Sequence, residues 1–408
     1  MDIRINLDRL KEDIESLSQI GRDPKGGITR PSFSRADLEA REWLKEKIKD
    51  AGLALRQDGA GNIFGRIEGK GKTIMAGSHI DTVINGGMFD GSVGVLSALE
   101  CLRRIEEEGL EVSKPLEVAA FTDEEGNLVG DFLGSRAFLG HMEREVLEKG
   151  LTQFGTPFEK ILEGTEFTYD TIMSAHEQRP DIEAFLEIHI EQGPVLETEN
   201  KPIGIVDCIA GKNYRWCSFQ GRASHAGTTP LELRHDAFLG LADFALKSTR
   251  HVATKHYGNM VTVGKIDVMP GAFNIVPGQA DFSFEFRSTS KDTLEELEKF
   301  FLDLAEDIAS TRGLKFTSEI VDKTDPVNTS PRIIDIIKEE CQKLGYPSMV
   351  LPSGAGHDSQ VMASIAEVGM IFIPSIDGIS HSPLEQITWE DLDKGANLLL
   401  QVLMRLAT

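Results

Sequence analysis

Five short segments concentrate the side chains able to bind a metal or move a proton. The first, Gly77-Ser78-His79-Ile80-Asp81, ends an apolar run from Thr73 to Ala76 and leads into the glycine-rich stretch Asn85-Gly86-Gly87-Met88-Phe89-Asp90-Gly91. A ligating imidazole needs its other nitrogen held by an acceptor. Asp81, two residues on along an extended chain, faces the same side and can supply one. Asp90 can curl back towards His79 through its glycines. The second segment, Phe121-Thr122-Asp123-Glu124-Glu125-Gly126-Asn127, follows the apolar run Leu116 to Ala120. Adjacent glutamates at a strand end diverge, so one can bind metal while the other faces substrate as a general base.

The third segment is Glu187-Ile188-His189-Ile190-Glu191-Gln192-Gly193-Pro194, strand-like, with His189 in phase with Glu187 and Glu191. The last two are Gly354-Ala355-Gly356-His357-Asp358-Ser359 and Gly378-Ile379-Ser380-His381-Ser382-Pro383. Imidazole and carboxylate together suit zinc, manganese, cobalt or nickel. Taken singly, each histidine reads as a satisfied core or loop residue, and the acid pair as solvated charge. His357 and Asp358 either support a site or pack their loop. Backbone N–H groups of the glycine loop, at Gly354 and Ala355, can meet a substrate.

The elements around these segments alternate. Helical periodicity covers Asp8 to Leu17 and Arg35 to Ala51, with Gly52 as a stop. Strands then read at Gly61 to Ile67, Thr73 to Ser78 and Leu116 to Thr122, with a helix from Gly94 to Glu108. Two of the chemical segments thus sit at strand ends, where α/β sheets place their sites. From about Lys212 the order becomes strand (Tyr214 to Gly221), helix (Asp236 to Thr254), strands (Asn259 to Val268 and Gln279 to Arg287), helix (Asp292 to Thr311) and strand (Leu314 to Ile320). That βαββαβ unit looks inserted, because buried strands such as Met370 to Pro374 return after it. In Asp281-Phe282-Ser283-Phe284-Glu285-Phe286-Arg287 the phenylalanines recur at period two. One face therefore packs beneath helices, and Arg287 ends the polar face.

The expected architecture is a two-domain α/β protein. Residues 1–211 and 329–408 form an α/β/α domain, and 212–328 form the inserted unit. The 408 residues support two cores rather than one. A net charge of −23 disfavours nucleic acid and anionic membranes as partners and points to a small substrate. That acidity requires a local cation for any carboxylate ligand. Charges break the N-terminal residues 1–9, so no secretory leader is read and a cytoplasmic location is expected. Cys101, Cys208, Cys217 and Cys341 form no C-x-x-C pair and read as buried small hydrophobes.

Together the motifs resemble the M20 metallopeptidase clan, in its amidase, hydantoinase and carbamoylase branch. The similarity runs nearly end to end. It covers Gly26-Gly27-Ile28-Thr29-Arg30, His189-Ile190-Glu191-Gln192-Gly193, Ser224-His225-Ala226-Gly227-Thr228-Thr229-Pro230 and His381-Ser382-Pro383. The resemblance implies a zinc-peptidase-like catalytic domain carrying a ferredoxin-like lid and dimerisation domain. It implies two divalent ions per subunit, held by His79, Asp90, Glu125, His189 and His381, with Asp90 bridging. Glu124 would be the general base; the supporting catalytic role of Asp81 rests on its spacing from His79 alone. Gln192, His225, Asn274 and Arg287 would bind substrate, His225 reaching into the partner subunit of a homodimer, while Gly354 and Ala355 are expected as substrate contacts from their glycine loop alone.

Peptidase members of the clan usually carry an aspartate where His189 stands, which favours the carbamoylase branch. The implied reaction is hydrolysis of the carbamoyl or ureido C–N bond of an N-carbamoyl-L-amino acid or allantoate, releasing ammonia and carbon dioxide. An aminoacylase or dipeptidase, or a non-catalytic binding protein on the same fold, are the alternatives. After Gly126 the stretch Asn127-Leu128-Val129-Gly130-Asp131-Phe132 departs from the branch's usual arginine-and-phenylalanine run, which leaves the side-chain pocket undefined.

Overall fold

The computed structural model describes residues 3–408. Met1 and Asp2, which begin the segment read as lacking a leader, lie outside the described residues. The chain divides into two compact units, one running to Asp207 and resuming at Thr329–Thr408, the other Cys208–Asn328. The first boundary falls four residues before the expected 211/212. The strand Ile203–Ile209 reaches to within one residue of Gly211–Gln220, so no loop marks the change. No described helix is long and apolar enough to cross a membrane.

In the first unit the sheet runs Ala54–Gln57, Ile63–Ile67, Leu116–Phe121, Thr73–His79, Ile182–Ile190, Glu367–Ile373 and Ile203–Ile209, with Ser348–Ser353 paired to the last. Its four central strands are parallel, and their registers pair His79 with Phe121 and His189 with Phe372. Carboxyl ends therefore align along one edge, which carries three of the chemical segments. Successive residues of these strands enter different cores. Ile74, Ala76, Ala184 and Leu186 pack with the helices Ser92–Glu107 and Trp389–Ala407, whereas Met75 and Phe185 pack with Phe121, Phe138 and Met362 on the other face. Burial on both faces explains why these strands read as apolar runs rather than alternating ones.

The Trp389–Ala407 helix starts where Thr388 accepts the Asp391 N–H, and it buries Leu392, Leu399, Leu400 and Leu403. Truncating any one of these to alanine would cost about 2–5 kcal/mol. Short helices at Leu133–Leu139, Arg144–Lys149, Phe158–Leu162 and Tyr169–Met173 form a satellite cluster with Phe33 and Phe167.

The second unit is a four-stranded antiparallel sheet in the order Lys315–Thr324, Gly211–Gln220, Gln279–Ser288, Met260–Met269. The helices Ala237–Lys255 and Lys291–Arg312 pack against it. Phe282, Phe284 and Phe286 are buried with Phe219, Phe244 and Phe301, the Phe244 and Phe284 rings meeting edge-on at 4.8 Å. Asp236 and Ser290 cap the two helix starts, and Gly313 at φ 64° ends the second helix in the left-handed region. A two-residue ribbon, Ser224–His225 with Ile275–Val276, is too short to read from periodicity.

Candidate metal centre

His79 is the last residue of its strand and His189 the next to last of its own, and both are buried. The loop after His79 turns under the grip of Arg30. This fully buried guanidinium donates to the carbonyls of Ile80 at 2.8 Å, Leu17 at 3.0 Å and Ile20 at 2.8 Å. Burial lowers the Arg30 pKa to about 10, which still leaves it charged at neutral pH. Asp90 then comes back over the strand end through Gly91, at φ 61°, where any Cβ would run into the His79 ring.

Asp90 is the meeting point. Its Oδ1 lies 3.2 Å from His189 Nε2 and 3.6 Å from His79 Nε2, and its Oδ2 lies 3.3 Å from His381 Nε2. Glu125 Oε2 is 3.5 Å from His381 Nε2, and Glu124 Oε2 is 3.7 Å from His79 Nε2. Two groups of potential ligand atoms result, His79–Asp90–His189 and Asp90–Glu125–His381, with Asp90 common to both.

The imidazoles are aimed by backbone. His79 Nδ1 donates to the Asp81 carbonyl at 3.0 Å and His189 Nδ1 to the Ile190 carbonyl at 2.9 Å, so both Nε2 atoms face Asp90. The expected acceptor for His79 was the Asp81 carboxylate. Its Oδ1 stands 3.7 Å away and instead accepts the Asp123 N–H at 3.1 Å. Asp81 thus acts on the neighbouring strand end, fixing the turn that precedes the glutamates.

At that turn Asp123 takes φ 57°, a conformation unusual outside glycine, and its carboxylate accepts the Asn127 and Leu128 N–H groups at 3.0 Å each. Glu124 and Glu125 leave it in different directions, one towards His79 and the other towards His381. Gln192, also at positive φ, donates from Nε2 to Asp90 Oδ2 at 2.8 Å, which places it at the centre rather than at its rim.

The electrostatics are those of a site short of positive charge. Burial, then Glu125, Asp358 and Asp90, push Glu124 well above the usual carboxyl range, and burial with Asp90 does the same to Glu125. Burial opposes charge on Asp90 too, but hydrogen bonds from His189 and His381 outweigh it and hold Asp90 well below. His189 is pushed up to about 9 because the Asp90 hydrogen bond and charge outweigh burial, whereas burial lowers His79. Glu125 Oε1 and Gln192 Oε1 are buried acceptors with no hydrogen-bond donor. Three converging Nε2 atoms, a shared carboxylate and orphaned buried oxygens fit divalent cations.

Around this centre lie His357, whose ring meets that of His189 edge-on at 4.7 Å, and Asp358, which accepts from Ser135 at 2.7 Å. Glu187 is held by Ser78 and Ser359 at 2.7 Å each. The Ala355 N–H is taken by Ser353 Oγ at 3.1 Å, and Gly356 leaves room for the Phe132 ring. Glu191, in phase with His189, caps the short helix Val195–Thr198 instead of facing the centre.

Sequence reasoning missed Arg30 as an anchor, together with Ser380 and Glu385. Glu385 Oε1 accepts the Phe89 and Asp90 N–H groups at 2.9 and 3.1 Å. Its only sequence signal is a position four residues after His381.

Of the remaining expected residues, His225, Asn274 and Arg287 belong to the second unit. His225 on the small ribbon and Asn274 in the turn before its second strand are exposed, and the Ala226 N–H donates to the Asn274 carbonyl at 2.9 Å. Arg287 ends the polar strand face, paired with Glu285 and donating to Tyr214 Oη at 2.7 Å.

Comparison with known proteins accords with this geometry. The N-carbamoyl-L-amino acid amidohydrolase of Geobacillus stearothermophilus is 36% identical over 407 residues, spanning 99% of each chain. The allantoate amidohydrolase of Escherichia coli (strain K12) is 32% identical over 402 residues, 98% of this chain and 97% of that protein. The crystal structure of an amidase of the hydantoinase/carbamoylase family from Burkholderia multivorans superimposes with a TM-score of 0.90 at 32% identity, covering 100% of this chain and 99% of that one. Residues 75–405, which contain every residue gathered around Asp90, match the family described as peptidase family M20/M25/M40, and the chain belongs to that family.

Proposed function

We propose that the protein is a metal-dependent amidohydrolase that cleaves the carbamoyl or ureido C–N bond of a small carboxylate substrate, an N-carbamoyl-L-amino acid or allantoate, with release of ammonia and carbon dioxide. The observation that carries this reading is Asp90, shared between two ligand groups, with Glu124 beside one and Glu125 in the other. Similarity over nearly the whole chain to amidohydrolases of ureido compounds supports the substrate class.

In this reading His79, Asp90, Glu125, His189 and His381 hold two divalent ions of zinc, manganese, cobalt or nickel. When bound, such ions polarise the scissile carbonyl and acidify a nearby water. Glu124 takes the proton of the attacking water and returns it to the leaving nitrogen. Asp81 keeps the Glu124 turn in place through the Asp123 N–H. Gln192 and Gly354 are read as substrate contacts of the first unit, whereas the Ala355 N–H, expected to be a third, is already taken by Ser353 Oγ. His225, Asn274 and Arg287 are read as those of the second, with a homodimer as the working form. Arg287 offers a planar fork suited to a carboxylate.

The test is ammonia release from metal-reconstituted protein supplied with allantoate, N-carbamoyl-L-amino acids, N-carbamoyl-beta-alanine or ureidoglycolate, with a dipeptide as control. Release from one ureido acid supports the proposal and names the substrate. Cleavage of the dipeptide alone would overturn it.

A further inference from the structure

We infer that Glu385 is a positioning residue that couples the Asp90 loop to the His381 loop and so preforms the Asp90–Glu125–His381 ligand group. The inference rests on the two-ion reading above. Three observations converge on it. Glu385 Oε1 accepts two consecutive backbone N–H groups, Phe89 at 2.9 Å and Asp90 at 3.1 Å, which fixes the peptide that carries the shared carboxylate. Its Oε2 lies 3.1 Å from Ser380 Oγ and Asp90 Oδ2 lies 2.9 Å from it, so the single hydroxyl proton serves one carboxylate at a time and both links close together only when one of the two carboxyl groups carries a proton. Ser380 precedes His381 directly, so one side chain ties the backbone of one ligand to the carboxylate of that ligand and to the chain of the next.

The room for this clamp is built into the sequence. At Gly87 any Cβ would run into the Glu385 carboxyl group, so a glycine is required three residues before Asp90. The carboxyl group is also buried, which makes its hydrogen bonds costly to lose. Both loops need such restraint. Gly91 and His381 sit at positive φ, at 61° and 54°, and His381 is half exposed and packed less tightly than His79 or His189. Without a restraint the loops would order only when a cation bound, and that ordering would be subtracted from affinity.

The two ligand groups should therefore respond differently. Both groups share the clamped Asp90, but the His79–Asp90–His189 group keeps its other two ligands on strand ends, whereas the Asp90–Glu125–His381 group has His381 on the second clamped loop as well. In Glu385→Ala we expect one of two metal-binding steps to weaken by about 10–100-fold, the range for loss of a residue that orients a ligand. The other step should change only a few-fold. Turnover should fall mainly in kcat and recover as free metal is raised, while the metal-free protein unfolds at the parent temperature, which a loss of folding would not allow.

Glu385→Gln retains an acceptor for the two N–H groups and an amide that can donate to Ser380, so it should keep most of the affinity. Ser380→Ala removes the link, together with the hydroxyl that accepts from Gln192 Nε2 at 3.2 Å, and should weaken the same single step.

The experiment is a zinc titration against a chromophoric chelator, run on the apo forms of the parent, Glu385→Ala, Glu385→Gln and Ser380→Ala, with thermal unfolding of each metal-free protein alongside. Selective weakening of one step in Glu385→Ala and Ser380→Ala, with Glu385→Gln close to the parent, supports the inference. Two unaltered steps in Ser380→Ala and Glu385→Ala overturn it while leaving the two-ion reading intact. A parent protein that binds fewer than two ions overturns that reading itself, and the inference with it. If Glu385→Ala does not fold, Ser380→Ala decides.

Discussion

Asp90 Oδ1 stands 3.2 Å from His189 Nε2, while the other oxygen of the same carboxylate faces His381. One side chain thus belongs to two ligand groups, and substitutions at the three positions should have unequal effects. Asp90→Ala should abolish both metal-binding steps and reduce turnover below about one-thousandth of the parent. His381→Ala should remove one step and spare the other. Metal content per chain, measured by atomic emission after gel filtration, separates the cases. Equal loss in both variants would mean that Asp90 is not shared.

Glu124 approaches His79 at 3.7 Å but lies outside both ligand groups. Glu124→Gln keeps the shape and removes the proton acceptor. Metal content should stay at the parent value and substrate should still bind, while kcat falls by about 100- to 10,000-fold. Isothermal titration with the identified substrate and steady-state rates check this together. A kcat within tenfold of the parent would discard Glu124 as the base.

Three of the candidate ligands are legible as a reactive type after an apolar run, whereas Asp90 and His381, on loops, join the set only through the family resemblance. His79, Glu125 and His189 all follow apolar runs, and such runs mark central parallel strands. Residues that hold them were not legible. Glu385 and Asp90 are separated by 295 positions, and Arg30 and Ile80 by 50, so only the folded chain pairs them. The acceptor for His79 was misassigned to the Asp81 side chain because spacing gives the side a residue faces, not which of its oxygens arrives first. The helices between Leu133 and Met173 have five to seven residues each, too few for a 3.6-residue period to show.

Arg30 offers a test of support at a distance from the Asp90 centre. Arg30→Ala would leave the Leu17, Ile20 and Ile80 carbonyls without their donor in a site closed to water. A destabilisation of about 3–5 kcal/mol is expected, since each orphaned buried acceptor costs about 1–3 kcal/mol. Urea unfolding with metal bound measures it. A loss under about 1 kcal/mol would show that the loop after His79 holds without its anchor.

Metal-free protein should lose stability as the pH rises, and metal-loaded protein should not. The folded-state pKa of His189 is raised from 6.5 to about 9, so its contribution is fully present below pH 6.5 and is lost as the pH climbs through about 9. His381 is raised as well, and works in the same direction. Glu124 and Glu125 are raised carboxyls whose contribution is likewise present at low pH and lost on ionisation. His79 is lowered, so its contribution is lost as the pH falls, in a window below 6.5 that does not overlap. Bound cations would displace the imidazole protons and neutralise the carboxylates, removing the dependence. The midpoint of thermal unfolding, followed from pH 6.5 to 9 with and without zinc, should fall for the apo form and stay level for the loaded one. Parallel curves would mean that cations do not occupy the Asp90 centre.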